Sequence, residues 1–401
     1  MQISSWRSLF FAGAVALLTI YVVWWGRMIA NPVERTSTDF ISFYSAGRVA
    51  RLQGFASIYN ADEQQKVEQD VVGFPLVEGQ VLLYNHMPYL APLLALVMSD
   101  HYVASFVRWL LILVALYLIG TQFMIKSLFA EETPEMRLVL FAGALTFLPI
   151  FISLWQGQDT AFLYLGVVLW CVGLLKKQDW LVAAGLALVT VRPHFSIALA
   201  LPLLFKNQRA WWRSVLVIGL LGLVSVLLVT IQGALGYVNR LLVSSDAAWF
   251  GMKPEAMLNL QGLLIRVVPS LDLDTASKIG WFLYLVGIVL ICILWQRSKS
   301  IDARLLGLSI LIAVVTAPHI HLHDLAILIF PILFVAHERM HTESEPRWLL
   351  FPLGASLCFL IGLLLEPVYY ILPYLLFILL AYLFLTPRQP LEQSPSLSTP
   401  K

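Results

Sequence analysis

Long apolar runs, repeated along the chain, constrain the fold of this protein more than any other feature of its sequence. Runs of about 14 to 22 residues alternate with short breaks that are charged or rich in proline and glycine. A run of this length can cross a bilayer as an α-helix, which satisfies its own backbone hydrogen bonds. The sequence therefore predicts an all-α, polytopic integral membrane protein.

The composition excludes several other classes of protein. Hydrophobic residues make up 59% of the 401 residues and charged residues 12%, which leaves too little polar surface to coat a soluble globule. A net charge of +2 offers no basic stripe, so we expect no nucleic-acid partner. The three cysteines lie far apart in apolar runs, which predicts neither a disulfide framework nor a metal site.

We predict about twelve membrane crossings from the apolar runs and the breaks between them. They run approximately over 8–29, 102–125, 137–155, 160–175, 179–192, 194–205, 213–232, 279–296, 304–317, 324–338, 348–365 and 368–386. The pair at 179–192 and 194–205 is short and meets at Pro193, so a re-entrant hairpin is the alternative. The apolar piece from Pro88 to Met98 is expected to dip into the membrane or lie at its surface.

Basic residues in alternate breaks predict the orientation, because short cytoplasmic loops are enriched in Lys and Arg. They are Arg7, Lys126, Arg137, Lys176, Lys177, Lys206, Arg209, Arg213, Arg297, Lys299, Arg304, Arg339, Arg347 and Arg388. Both termini are then cytoplasmic, and the long loops 30–87 and 233–278 lie outside. We expect one transmembrane domain over 1–386 and a disordered cytoplasmic tail over 387–401.

The first external loop carries the strongest candidate for chemistry, Asp39. It begins the stretch DFISFYSAGRVARLQ, whose apolar residues recur at helical spacing and predict a helix lying at the membrane interface. A carboxylate at this position would face the head-group layer. The alternative is that Asp39 only caps the helix, because Asp is favoured at helix starts.

Two further polar groups interrupt apolar runs on the same side of the membrane. Gln156, Gln158 and Asp159 could bind sugar hydroxyls, or they could cap the span that follows. Arg192, next to His194, is costly at a membrane edge unless it meets an anion. A lipid phosphate is the candidate, because a guanidinium binds phosphate bidentately. The alternative is that Arg192 neutralises a structural carboxylate such as Asp159 or Asp324.

Three alternating histidines and an aspartate form the densest polar group in the chain: His319, His321, His323 and Asp324. Phosphate binding or proton handling is favoured over a metal site, because the His-x-His-x-His spacing suits a strand better than a helix. Other external candidates are His86 in the first loop and Trp249, Phe250, Lys253, Asn259 and Gln261 in the second. The second-loop residues could form a sugar site or only anchor the interface.

In this order, the segments resemble glycosyltransferase family 87, the polyprenyl-phosphate-sugar-dependent membrane transferases of the GT-C superfamily. That family includes polyprenol-phosphate-mannose-dependent mannosyltransferases. The resemblance extends over nearly the whole chain. It rests on DFISFYSAG with the following Gly54 and Tyr59, and on MPYLAPLLAL, WQGQDT, AGLALVTVRPHFSIALALPLL and APHIHLHDL.

The resemblance implies a GT-C-like hexosyltransferase of the cell membrane. It would move a single sugar from a polyprenyl-phosphate donor to a lipid or glycan acceptor on the non-cytoplasmic face, and mannose is the favoured sugar. No cofactor or metal is implied, and the external loops contain no Gly-rich nucleotide loop or Asp-x-Asp pair. The alternatives are a lipid-linked-sugar transporter or flippase, an oligosaccharide ligase of GT-C type, and a purely structural membrane protein.

The resemblance also assigns roles to individual residues. It matches Asp39 to the base and His323 to a late external histidine, with His321 as a rival. Arg192 matches the basic residue that would meet the donor phosphate, together with His194 and His321. The usual Tyr-Pro-Pro reads NHMPYLAP here, which leaves the roles of His86 and Pro88 open. The remaining candidates for substrate contacts are Tyr44, His86, Gln156, Gln158, Asp159 and Asp324.

Overall fold

The structure is a computed structural model that describes residues 5–77, 80–245, 254–340 and 351–386. Over these residues the chain consists of α-helices, short 3-10 helices and connecting turns, and no strand is present. The predicted all-α class is therefore confirmed. The predicted tail 387–401 and the second-loop candidates Trp249, Phe250 and Lys253 lie outside the described residues.

The predicted first span, the loop predicted to be external and the apolar piece after it form five helices. They are α1 (Ser5–Ala30), α2 (Pro32–Thr36), α3 (Phe40–Gln53), α4 (Ala61–Val72) and α5 (Ala91–Val97). The helix predicted to start at Asp39 is α3, but all eight residues from Phe40 to Gly47 are buried. The helix packs against α4, α5 and α6, and Ser45 donates a hydrogen bond to Glu68 of α4.

The central part of the chain continues with another five helices. They are α6 (Tyr102–Leu128), α7 (Pro134–Leu145), α8 (Leu148–Gln156), α9 (Thr160–Leu175) and α10 (Asp179–Val189). The run predicted as a single span over 137–155 is broken between α7 and α8, which meet at 51°. Pro149 in the first turn of α8 explains the break, because a proline cannot continue a helix that precedes it.

Close packing of α9 against α10 sets up the site described below. A Cβ on Gly185 would lie 2.6 Å from the carbonyl oxygen of Gly166, so the two backbones can approach this closely only with glycine. Small residues at such crossings are common between membrane helices. The hairpin brings the start of α9, next to Asp159, to the same end as Arg192, which follows α10.

The next segments are α11 (Pro193–Ala200), α12 (Leu203–Lys206), α13 (Gln208–Ser245), α14 (Leu260–Val267) and α15 (Leu273–Arg297). Helix α13 is interrupted at Thr230, whose φ of 63° is not helical. Its second half extends into the loop predicted to begin near residue 233.

The chain then forms α16 (Ala303–Thr316), a 3-10 helix (Leu322–Leu328), α17 (Ile329–Met340), α18 (Phe351–Leu364) and α19 (Glu366–Leu385). The 3-10 helix packs against α8 and α9, far back in the sequence. This packing carries the alternating histidines to the end of the bundle where Asp159 and Arg192 lie.

Helix length alone identifies fewer spans than the sequence predicts. Within the described ranges, four helices are long and apolar enough to cross a membrane, and the bent pair α7 and α8 would make a fifth. Seven shorter apolar helices of 10–17 residues account for most of the other predicted crossings. The polytopic architecture is supported, and the number of about twelve crossings stays a prediction.

The predicted orientation can be tested with single cysteines in a background without Cys292 and Cys358, since Cys171 is buried. We expect a cysteine at Asp62 or Ser245 to react with an impermeant thiol reagent on intact cells. One at the exposed Lys177 should react only after permeabilisation, because basic loops stay in the cytoplasm. The reverse pattern would mean that the whole topology is inverted.

Candidate active site

A cavity of about 1060 Å³ lies where the loop after α1, predicted to be external, meets the α8–α9 turn, the α10–α11 turn and the segment before the 3-10 helix. This volume is at the upper end for small-molecule sites. Its polar lining includes the sequence candidates Asp39, His86, Gln156, Gln158, Arg192, His194, Gln261, His319, His321 and His323. Segments separated by up to 284 positions are thus brought to one place, counted from Asp39 to His323.

Asp39 directs its side chain toward the cavity and not onto its own helix. It occupies the N-cap position of α3, but its carboxylate makes no capping hydrogen bond. Instead, Gln158 Nε2 donates to Asp39 Oδ2 at 2.5 Å, and the backbone N–H of Asp39 donates to Gln156 Oε1 at 3.1 Å. The capping alternative therefore does not account for this carboxylate.

The WQGQDT segment can reach Asp39 because a glycine ends α8. Gly157 adopts a left-handed conformation with φ of 68°, and a Cβ there would lie 2.8 Å from Phe40 Cβ. The Gly157 carbonyl accepts a hydrogen bond from Trp109 Nε1 at 2.8 Å. Only glycine combines this φ with this approach, so the turn presses both glutamines against the start of α3.

Arg192 is buried between two carboxylates. Its Nε donates to Asp324 Oδ1 at 3.1 Å, and its Nη1 donates to Asp159 Oδ1 at 2.9 Å. Its Nη2 donates to Gln158 Oε1 at 3.3 Å. The side chain lines the cavity but is not free to hold a phosphate bidentately, because most of its N–H groups are already taken. The geometry is that of the alternative in which Arg192 neutralises buried carboxylates.

The outer oxygen of each carboxylate meets a histidine. His86 Nδ1 lies 2.8 Å from Asp159 Oδ2, and His323 Nε2 lies 3.4 Å from Asp324 Oδ2. Asp324 Oδ2 also accepts the backbone N–H of His321 at 3.2 Å. Burial alone would raise the pKa of Asp159, but Arg192 and then His86 outweigh burial and hold the pKa below its ordinary value.

The other histidines form an uncharged surface of the cavity. Burial lowers the pKa of His321 to about 4, with His323 adding to the effect, and burial lowers the pKa of His319 further. His194 Nε2 and His319 Nδ1 are buried without a protein partner among the described residues. Across the described ranges no three His, Cys, Asp or Glu side chains are arranged to hold a metal ion.

Three predicted substrate contacts do not line the cavity. Tyr44 donates its hydroxyl to the Ser99 carbonyl at 2.9 Å, because α3 turns this residue toward the loop before α6. Asp159 and Asp324 lie behind Arg192 and are fully buried. They support the cavity wall instead of forming it.

Glu68 is a cavity residue that the sequence did not single out. The charged appearance of its helix, α4, predicts a solvated helix without function, yet Glu68 is 1% exposed and lines the cavity. It accepts the backbone N–H of Leu82 at 3.0 Å and the hydroxyl of Ser45 at 3.3 Å. Gln64, one turn earlier, is also buried and binds the Tyr84 backbone. Both side chains are buried because the loop around Leu82 and Tyr84 packs on α4. No pattern within the sequence of α4 predicts this packing.

Glu68 should make the stability of the protein depend on pH. Burial raises the pKa of Glu68 from 4.5 to about 7, so the folded state favours the protonated form. Stability should be highest below about pH 4.5 and fall as the pH rises through about 7. Thermal melting of the detergent-solubilised protein between these values should show this slope, and Glu68→Gln should flatten it. An unchanged slope in Glu68→Gln would assign it to another group.

Together, the fold and the site define a polytopic membrane protein with one large cavity lined by acid–base and amide side chains. Residues 86–320 match glycosyltransferase family 87, which is more than half of the chain, and the chain belongs to this family. The family predicted from the sequence is thereby confirmed, and the protein is a membrane glycosyltransferase. No curated protein and no solved structure matches the chain.

Proposed function

We propose that the protein transfers a single sugar from a polyprenyl-phosphate donor to a lipid or glycan acceptor on the non-cytoplasmic face of the cell membrane. Mannose is the favoured sugar. The observation that carries this proposal is that one cavity combines two chemistries. Asp39, Gln158 and the histidines line it, and so do apolar side chains. A sugar with a prenyl chain needs both.

Part of the apolar lining comes from helices that span the membrane in the predicted topology. It includes Ile197 of α11, Trp281 of α15 and Leu363 of α18, each at least 37% exposed. Protein therefore leaves these three side chains partly uncovered. A prenyl chain could lie against them in contact with bilayer lipid while its phosphate and sugar meet the polar lining.

Asp39 is the base in this proposal. It takes the proton of the acceptor hydroxyl as the acceptor oxygen attacks the anomeric carbon, and the bond from that carbon to the phosphate oxygen breaks. Gln158 holds one carboxylate oxygen, so the other, which has no partner among the described residues, can face the hydroxyl. The departing phosphate carries off the electron pair and needs fixed donors, because a cavity of this kind offers little water.

His323 and its neighbours His194 and His321 are the residues proposed to face the donor phosphate. All three line the cavity. Imidazole N–H groups can donate hydrogen bonds to phosphate oxygens. Arg192 contributes by fixing Gln158 and the two buried carboxylates, and not as an independent clamp.

Purified protein in detergent, given radiolabelled polyprenyl-phosphate mannose and a membrane lipid extract, should label a new product. A donor carrying another hexose in the same assay tests the choice of sugar. A flippase, the main alternative, would move the donor across a proteoliposome membrane without releasing polyprenyl phosphate. Release of the lipid phosphate only when acceptor is present therefore separates the two functions.

A further inference from the structure

Arg192 joins two aspartate–histidine pairs back to back. Asp159 gives one carboxylate oxygen to Arg192 and the other to His86, and Asp324 divides its oxygens in the same way between Arg192 and His323. Both histidines line the cavity, whereas the aspartates lie behind it. The five side chains form one continuous buried unit with a histidine at each end.

The net charge of this unit is one that a single further proton would neutralise. With both histidines neutral, one guanidinium and two carboxylates sum to a single negative charge. An uncompensated charge is costly to bury, whereas one imidazolium makes the unit neutral. Burial therefore favours a proton on one of the two histidines.

The His86 end is the better place for that proton. Its Nδ1 lies 2.8 Å from Asp159, against 3.4 Å for the contact between His323 and Asp324. Arg192 Nη1 lies 3.4 Å from the same Nδ1 and opposes the charge, but the carboxylate is closer. Because a carboxylate only accepts, Nδ1 carries a hydrogen, and this sets the orientation of the ring.

Packing aims the other ring nitrogen of His86 into the cavity. The ring lies against Phe43, with centroids 4.4 Å apart, and the His86 carbonyl accepts the hydroxyl of Tyr59 at 2.7 Å. Nε2 has no protein partner among the described residues and is not among their buried unpaired atoms. Nε2 is therefore open to the cavity.

We propose that His86, held by Asp159, is the general acid that protonates the departing phosphate of the donor. This rests on the proposed function. As the bond from the anomeric carbon to the phosphate oxygen breaks, that oxygen receives the electron pair and the proton of His86 Nε2. The acceptor oxygen forms the new bond, and its proton goes to Asp39. After the transfer, Asp39 holds the proton of the acceptor and the lipid phosphate holds the proton of His86, so Asp39 releases a proton to water and His86 takes one up before the next cycle.

The phosphate has few other sources of positive charge. Among the described residues that line the cavity, Arg192 is the one lysine or arginine, and two carboxylates already bind it. The carboxylate of Asp39 lines the same space. A dianionic lipid phosphate would be strongly disfavoured there, and a proton from His86 lowers its charge as it forms.

Two variants separate proton donation from shape. His86→Phe keeps a ring and removes both nitrogens, whereas His86→Gln keeps an N–H donor that cannot transfer its proton. We expect His86→Phe to lower kcat by about 10²-fold with the polyprenyl-phosphate donor, and His86→Gln to lose less. His101→Gln, at an exposed histidine of the same region, is the matched control and should keep full activity.

The deciding measurement uses a second donor, in which a long-chain alkylphenol replaces the prenol. An aryl phosphate is a weaker base and depends less on a proton as it leaves, so the deficit of His86→Phe should be smaller with this donor. An equal deficit with both donors, or none with either, would overturn the acid role of His86 while leaving the transferase function standing. If the wild-type protein transferred sugar from neither donor, the proposed function would fail and the role of His86 with it.

Discussion

Replacing Asp39 with asparagine should lower kcat by about 10³-fold, because general-base catalysis by one carboxylate is worth about 10²- to 10⁴-fold. The side-chain oxygen of the introduced asparagine can still accept the hydrogen bond from Gln158, so the local geometry should persist. The wild-type carboxylate makes no capping bond to α3, so the substitution should not weaken the helix. The amide cannot take a proton, and that is the whole of the expected defect.

The measurement is initial rate against donor concentration, together with thermal melting of each variant. We expect the KM for donor and the melting temperature of Asp39→Asn to stay close to wild type while kcat falls. Asp62→Asn, at an exposed carboxylate of the same loop region, is the matched control and should change neither. Activity of Asp39→Asn within a few-fold of wild type would remove Asp39 as the base.

Replacing Arg192 with methionine should destabilise the protein by about 3–5 kcal/mol, which is typical when one partner of a buried ion pair is removed. Asp159 and Asp324 would be left buried without their counter-ion. The phosphate-clamp hypothesis predicts a different result, in which the variant folds normally and loses affinity for the donor phosphate. Thermal melting and donor KM, measured on the same preparation, separate the two hypotheses.

The triple variant Arg192→Met, Asp159→Asn, Asp324→Asn sharpens this test. Removing both carboxylates with the guanidinium should restore part of the lost stability, since neutral groups of similar shape are cheaper to bury. Activity should stay low, because Gln158 and His86 lose their partners. Arg213→Met, at a partly exposed pair with Asp179, is the control and should cost no more than about 1 kcal/mol. Normal stability in Arg192→Met with a raised donor KM would favour the phosphate clamp.

The lengths of the apolar runs and the breaks between them were sufficient to predict most helices, because a helix forms within one continuous segment of the chain. The run 160–175 coincides with α9, and the run 304–317 differs from α16 by one residue at each end. The same reasoning failed where a proline or a left-handed residue breaks a run. It treated α7 and α8 as one span and ended the helix near Thr230.

The polar segments were also visible in the sequence, because charged and amide side chains are conspicuous between apolar runs. The basic loops predicted that these segments lie on one side of the membrane, and the family resemblance predicted that they serve one reaction. Their partners were not visible. A lone arginine next to a proline is equally consistent with a bound phosphate and with two buried carboxylates, since both satisfy a guanidinium.

The sequence by itself determined the all-α membrane class, the family, and the residue types available for catalysis, because these depend on composition, period and motif order. Only the tertiary structure decided which groups are paired. Asp39 accepts a hydrogen bond from Gln158 and does not cap its own helix, and Arg192 is paired with Asp159 and Asp324. His86 meets Asp159 through Nδ1, and its Nε2 has no protein partner among the described residues. Such pairings form between segments far apart in the chain, where packing of α9 against α10 and the turn at Gly157 set distances that no local pattern encodes.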